Sequence, residues 1–223
     1  MKKIIFTIIL FLSCYLIYTL TNNNNLNYVT LGDSLSKGVT PYFANGYGYS
    51  NYIVDYLKKN NKLNSYNDDF TGVDYRITDL INLININYET NNQTINQAIH
   101  SADIITISVG MQELYYKINT NDTNIYTYID KMLEDTEELF TLIRKNNNKK
   151  IYMLGYYNTK NTNQDLFNYA NIKLKEICQK NKITYIDTQS IFYKNTTYFE
   201  NPNSFNPNLQ GYYKIYEKII EKF

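Results

Sequence analysis

The chain has 223 residues, with 22 basic and 21 acidic side chains and a formal net charge of +1. The sequence also contains no long basic run, so it lacks the electrostatic signature of nucleic-acid binding and we predict no nucleic-acid partner. A hydrophobic fraction of 43% is typical of a folded protein. Beyond an apolar N-terminal segment, about 200 residues remain, which fits a single domain.

Cysteines and lysines show no pattern that indicates a metal or a large charged surface. Cys14 lies in the apolar leader and Cys178 in a helical pattern, where a buried thiol is expected. No CxxC pair or Cys/His cluster occurs, so we predict no metal site. A short basic cluster of Lys145, Lys149 and Lys150 follows a helical pattern, and we interpret it as a solvated helix end.

The N-terminus resembles a membrane-targeting segment. Lys2 and Lys3 precede an apolar run from Ile4 to Leu20, without a small-residue cleavage site after it. We predict that residues 1–26 form an uncleaved signal-anchor and a short Asn-rich tether, and that residues 27–223 form one extracytoplasmic domain at the cell membrane. The alternatives are a lipoprotein modified at Cys14 or a secreted protein.

Strand and helix patterns alternate through the rest of the chain. Short β-branched or apolar runs predict strands over residues 27–31, 69–72, 103–109, 151–154 and 183–186. Helical spacing predicts helices over residues 49–59, 76–86, 124–144, 164–180 and 209–223. Such alternation predicts a three-layer α/β/α sandwich with about five mostly parallel strands, of the flavodoxin-like type.

The first strand runs into Gly32-Asp33-Ser34-Leu35-Ser36. In a mostly parallel sheet, functional residues gather at the carboxyl ends of the strands. A serine nucleophile needs a tight turn after a strand, where its hydroxyl is exposed and backbone N–H groups can face an oxyanion. We therefore predict Ser34 as a nucleophile position.

Four sequence blocks in order resemble the SGNH/GDSL hydrolase family: residues 32–35 (GDSL), Gly72 in Thr71-Gly72-Val73-Asp74, Ser108–Glu113 and Asn206–Tyr212. The resemblance covers nearly the whole chain after residue 27 and implies the SGNH-hydrolase fold. It also implies ester hydrolysis by side chains alone, without a cofactor. By this resemblance the oxyanion hole consists of Ser34, Gly72 and Gln112.

The catalytic positions depart from the family pattern. The histidine of the last block falls on Asn206, the aspartate three residues earlier falls on Asn203, and the asparagine of the third block falls on Gln112. An asparagine amide cannot accept the serine proton as a histidine does. The longer Gln112 keeps an amide donor but displaces it.

Three other residues are candidates for a substitute base. His100, the one histidine, precedes the strand at residues 103–109, so we expect it at the edge of the sheet opposite Ser34 and reject it. Asp74 and Glu113 are predicted near the site, but either acts as a base only if its pKa is raised.

Two functions follow from these residues. The first is a catalytically impaired domain that binds an ester, acyl, glycan or protein partner. The second is an active esterase, lipase or deacetylase in which Ser34 uses a substitute base. The pairs Tyr115-Tyr116 and Tyr156-Tyr157 are predicted to pack in the core, with a sugar-binding cleft as the alternative.

Overall fold

The computed structural model describes Ser13 and residues 25–120, 123–160 and 162–223. Its strands are β1 (Leu26–Gly32), β2 (Leu63–Asn67), β3 (Glu89–Thr90), β4 (Gln93–Thr94), β5 (Ile104–Ser108), β6 (Lys150–Leu154) and β7 (Thr184–Ile186). Its helices are α1 (Ser34–Lys37), α2 (Tyr49–Lys59), α3 (Ile77–Asn85), α4 (Ile95–Ser101), α5 (Met111–Asn119), α6 (Ile125–Asn146), α7 (Gln164–Lys180), α8 (Gln189–Phe192) and α9 (Leu209–Ile220). A short 3₁₀ helix covers Thr196–Tyr198.

Five of the strands form one parallel sheet in the order β2-β1-β5-β6-β7. Counted by themselves, these strands follow the flavodoxin-like order 2-1-3-4-5. β1 and β5 pair in register from Tyr28 with Ile104 to Gly32 with Ser108. The remaining strands, β3 and β4, form a separate antiparallel hairpin.

Helices cover both faces of the sheet. α2 and α9 pack together on one face, while α3, α4, α6 and α7 pack on the other. The central strand β5 is buried along its whole length, as its run of apolar and β-branched residues predicts for a strand covered on both sides. The predicted three-layer α/β sandwich with five parallel strands is therefore confirmed.

One predicted strand is misplaced. The second strand is β2, Leu63–Asn67, whereas residues 69–72 form the turn that follows it and contribute only a single bridge between Thr71 and Gly32. β2 lies at the edge of the sheet and has a polar sequence, LNSYN, so it lacks the apolar signal by which the other strands are recognised.

The predicted membrane segment, Ile4–Leu20, lies outside the described residues apart from Ser13, as does Cys14. In the part of the chain that the structure describes, none of the helices combines the length and the apolar character that a membrane span requires. The signal-anchor and the lipidation at Cys14 therefore stay predictions.

Candidate active site

The candidate site lies at the carboxyl edge of the sheet, between β1 and β5. The strand order reverses between these two strands, and open α/β sheets bind ligands in the crevice formed there. Gly32 ends β1 with φ +133°, a conformation that favours glycine, and a Cβ at this position would lie 1.8 Å from the main-chain oxygen of Ser108. This close approach allows the chain to turn sharply, so that Ser34 begins α1 directly above the strand ends.

Ser34 and Asn206 are in direct contact, although 172 residues separate them in the sequence. The Ser34 hydroxyl donates a hydrogen bond of 3.0 Å to the Asn206 side-chain oxygen Oδ1. Both residues are buried, with exposed fractions of 2% and 1%. The structure thus brings together the predicted nucleophile and the residue at the histidine position, but beneath the surface.

The loop that carries Asn206 is held by polar contacts on both sides. The Asn206 N–H donates to Ser204 Oγ at 3.0 Å, and the buried Tyr157 hydroxyl donates to the main-chain oxygen of Phe205 at 2.8 Å. Directly after the loop, Asn208 accepts the N–H of Gly211 and caps α9. These contacts fix the side chain of Asn206 against Ser34.

Asn203 is not part of this contact. Its side chain is exposed, and its main-chain N–H donates to Asn201 Oδ1 at 3.0 Å. In the family pattern the residue at this position orients the base. Here the two asparagines share a loop, but no hydrogen bond joins them among the described residues.

The predicted oxyanion-hole groups are arranged as follows. Ser34 is the first residue of α1, so its N–H has no acceptor within the helix. The Gly72 N–H donates to the main-chain oxygen of Gly32 at 2.9 Å. The half-buried Gln112 donates from Nε2 to Asp74 Oδ1 at 2.9 Å. Two of the three predicted donors are thus engaged within the protein.

Asp33 is a site residue whose importance we did not predict from the sequence. Its carboxylate caps α1, with Oδ1 accepting from the Leu35 N–H at 3.1 Å and from Ser108 Oγ at 3.2 Å. The other oxygen, Oδ2, is buried without a hydrogen-bond partner among the described residues. Burial raises the pKa of this carboxyl from its ordinary 3.8 to about 7, although both hydrogen bonds oppose the shift. An aspartate before the first helical residue is a recognised N-cap signal, which would have identified it.

Comparison with known proteins agrees with this geometry. A model of the GDSL-like lipase/acylhydrolase family matches residues 30–214, which is most of the chain. The chain belongs to this family. A search of curated proteins returned no match.

Several solved structures share the fold of this chain. The lipase Lip_vut3 from a goat rumen metagenome is 19% identical with a TM-score of 0.74, and the match covers 88% of this chain and 97% of the lipase. The acetylxylan esterase Axe2 from Geobacillus stearothermophilus is 14% identical with a TM-score of 0.66, over 88% and 93%. LAE5, an α/β hydrolase from the metagenome of Lake Arreo, Spain, is 15% identical with a TM-score of 0.60, over 88% and 94%.

Two of the three candidates for a substitute base, Glu113 and Asp74, accept hydrogen bonds from other residues of this GDSL-like domain. His100 is exposed in the last turn of α4, before β5 begins, and so lies towards the opposite edge of the sheet. Glu113 accepts the N–H of Ile77 through Oε2 at 3.1 Å, at the start of α3. Burial raises the pKa of Glu113, and the bond from Ile77 opposes that shift. Asp74 is the acceptor for Gln112.

The tyrosine pairs divide between the core and the surface. Tyr156 and Tyr157 are completely buried, so the GDSL-like domain uses them for packing, as predicted. Tyr115 is also buried, whereas Tyr116 is 50% exposed and lines a cavity with Gln112. Among the described residues, no group of three or more His, Cys, Asp or Glu side chains is arranged to hold a metal ion.

Proposed function

We propose that this GDSL-like domain is catalytically impaired and acts outside the cytoplasm as a binding protein for an ester, acyl or glycan ligand. The observation that carries the proposal is the buried hydrogen bond from Ser34 to Asn206. An amide oxygen accepts this hydrogen bond but has no useful basicity near neutral pH, so the serine is held as a hydroxyl. Loss of one member of a catalytic triad typically lowers turnover by about 10⁴-fold or more.

The Axe2 structures support this interpretation. Structures described as catalytic mutants of Axe2 carry alanine in place of a serine, an aspartate or a histidine. The replaced aspartate and histidine are three positions apart, which is also the spacing of Asn203 and Asn206. In this chain both positions carry neutral amides.

A cavity next to the loop that carries Asn206 supports ligand binding, although Ser34 itself does not line it. It has a volume of about 640 Å³ and is lined by Gly38, at the end of α1, and Pro207, directly after Asn206. Tyr42 and Leu209, which also line it, are 66% and 57% exposed. Exposed apolar and aromatic side chains around a cavity suit an acyl chain or the apolar face of a sugar ring.

The alternative is an active esterase, favoured by the retained Ser34 at the start of α1. An experiment separates the two functions by comparing hydrolysis of p-nitrophenyl acetate by the wild-type chain, Ser34→Ala and the double variant Asn203→Asp/Asn206→His. The matched control for this double variant is the triple variant Ser34→Ala/Asn203→Asp/Asn206→His, which lacks the serine.

We expect the wild type to match Ser34→Ala and the double variant to gain about 10²-fold or more, because a histidine restores a base beside the serine. The gain should disappear in the matched control. A wild-type rate clearly above that of Ser34→Ala would instead show an active enzyme, and Asp33, Asp74 and Glu113 would be the next residues to replace.

A further inference from the structure

A second cavity lies at the amino edge of the sheet, on the side opposite Ser34. It has a volume of about 710 Å³, and its apolar lining includes the first residues of two central strands, Leu26 and Ile104, together with Leu57 and Phe223. The parallel strands place the candidate active site at one edge and this cavity at the other. Nothing in the proposed binding function at Ser34 involves it.

Lysines surround this second cavity. Lys62, Lys149, Lys150 and Lys182 line it, and Asp103 is the one acidic side chain among the lining residues. Because four side-chain ammonium groups face one side-chain carboxylate, the side chains that line the cavity carry a surplus of positive charge. In the chain sequence these lysines lie in three separate segments, so only the fold brings them together.

The lysines are largely free to bind a ligand. Lys149 Nζ lies 3.9 Å from Asp103 Oδ1, which is at the limit of an ion pair, and Lys150 Nζ donates to the main-chain oxygen of Phe223. Within the described residues, Lys62 and Lys182 have no carboxylate at ion-pair distance. All four side chains belong to exposed residues.

Arg144 fixes the main chain that carries two of these lysines. Its guanidinium donates to the main-chain oxygens of Lys149 at 2.8 Å and Lys182 at 2.5 Å. It also donates to the main-chain oxygens of Asn147 and Asn181. One side chain thus joins the loop before β6 to the loop before β7 and holds the main chain of Lys149 and Lys182.

The position of this cavity in the chain indicates what it faces. Asn25 lines the cavity, and only residues 21–24 separate it from Leu20, the end of the apolar N-terminal run. Five residue steps of extended chain span at most about 18 Å. A membrane that held the apolar run would therefore lie close to the lysines.

We infer that the lysine-lined cavity is a docking surface for the anionic phospholipid headgroups of the membrane next to the N-terminal segment. Phosphate groups are the anions that a cluster of ammonium groups attracts at a membrane surface. Docking at this edge turns the opposite edge, with Ser34, away from the membrane. The inference does not depend on whether Ser34 is catalytic.

The test uses the full chain with vesicles of phosphatidylcholine alone or of phosphatidylcholine mixed with phosphatidylglycerol. Brief acetylation followed by mass spectrometry measures the reaction rate of each lysine. Lys160, Lys175 and Lys194, which are exposed but do not line the cavity, are the internal controls.

We expect the cavity lysines to react about fivefold more slowly on the anionic vesicles, while the control lysines keep their rates. About 1 M NaCl should remove the protection, because it shortens the screening distance to about 3 Å. The variant Lys62→Gln/Lys149→Gln/Lys182→Gln should lose the protection at Lys150, whereas Lys160→Gln/Lys175→Gln/Lys194→Gln should keep it.

Equal rates on both kinds of vesicle would overturn the inference. Protection by millimolar inorganic phosphate with phosphatidylcholine vesicles alone would also overturn it, because the cavity would then be a site for a small soluble anion.

The two triple variants are matched in backbone strain, because Lys182 and Lys194 both have a positive φ.

Discussion

The Ser34 hydroxyl donates to Asn206 Oδ1 at 3.0 Å, and both side chains are almost completely buried. An active serine hydrolase needs its nucleophile accessible to substrate and activated by a base. In this chain Ser34 and Asn206 form a hydrogen-bonded pair in the protein interior, and we expect the contact to stabilise the fold.

Replacement of Ser34 tests this directly. We expect Ser34→Ala to lower the free energy of unfolding by about 1 kcal/mol, because it leaves the Asn206 oxygen buried without a donor. Asn206→Ala should lower it by about 1–3 kcal/mol, since it leaves the hydroxyl unpaired and opens a space. Urea unfolding of both variants measures the two effects.

The double variant Ser34→Ala/Asn206→Ala provides the control for that prediction. If the two residues stabilise each other, the double variant should lose about 1 kcal/mol less than the sum of the single losses. A stabilising effect of Ser34→Ala would contradict the prediction, because stabilisation on removal of a site residue is typical of a strained, functional active site.

The turn before the serine gives a second prediction. A Cβ at Gly32 would lie 1.8 Å from the main-chain oxygen of Ser108, and the φ of +133° is unfavourable for any other residue. We expect Gly32→Ala to cost at least about 3 kcal/mol of unfolding free energy, because β1 and β5 would have to separate. Thermal unfolding followed by circular dichroism measures it.

Gly46→Ala is the matched control for Gly32→Ala. A Cβ at Gly46 would first meet the Thr40 methyl group, at 2.6 Å, which is a side-chain atom that can move, and Gly46 has no positive φ. Gly46→Ala should therefore lose clearly less unfolding free energy than Gly32→Ala. Equal losses for the two variants would show that the approach of Gly32 to Ser108 does not determine the turn.

The pH dependence of stability should report on Asp33. Its pKa is about 7 in the folded chain and near 4 in the unfolded chain, so between these values only the folded chain keeps the proton. The contribution of this carboxyl to stability is therefore complete below about pH 4 and is lost as the pH rises through about 7. The nominal loss of unfolding free energy over this pH range is up to ~4 kcal/mol.

Asp33→Asn isolates this effect. The amide can keep the bonds from Leu35 and Ser108 but does not ionise, so its stability relative to the wild type should increase between pH 5 and pH 8. Urea unfolding at both pH values measures the difference, and Glu138→Gln, at an exposed position on α6, is the control. A pH-independent difference for Asp33→Asn would show that the carboxyl pKa is not raised.

The fold was predictable from the sequence where burial imposes a pattern. β5 is apolar because both faces are covered, and α2 and α7 have the predicted bounds because apolar residues repeat at helical spacing along them. The edge strand β2 was not predicted, because one of its sides has no partner strand and its residues are polar.

The site was predictable as a set of positions but not as an arrangement. The order of the blocks placed Ser34 and Asn206 together, and the structure shows them hydrogen bonded. The burial of this pair depends on how the loop at residues 204–208 packs, through contacts such as that between Tyr157 and Phe205. Contacts over such sequence separations leave no local signal.

Arg144 provides the last prediction, at the edge of the sheet opposite Ser34. Its guanidinium donates to four main-chain oxygens, those of Asn147, Lys149, Asn181 and Lys182. A lysine has one compact ammonium group and cannot reach both loops with this geometry. We expect Arg144→Lys to cost about 2–3 kcal/mol of unfolding free energy, because hydrogen bonds to a charged group are among the stronger ones.

The neighbouring Lys145→Gln is the matched control, because Lys145 is exposed on the same helix turn and should change stability by less than about 0.5 kcal/mol. Hydrogen exchange adds a local measurement. In Arg144→Lys the main-chain amides of residues 147–150 and 181–184 should exchange faster, while the amides of β1 should keep their wild-type exchange rates. If both loops kept wild-type exchange in Arg144→Lys, the guanidinium would not be what holds the lysines of the second cavity in place.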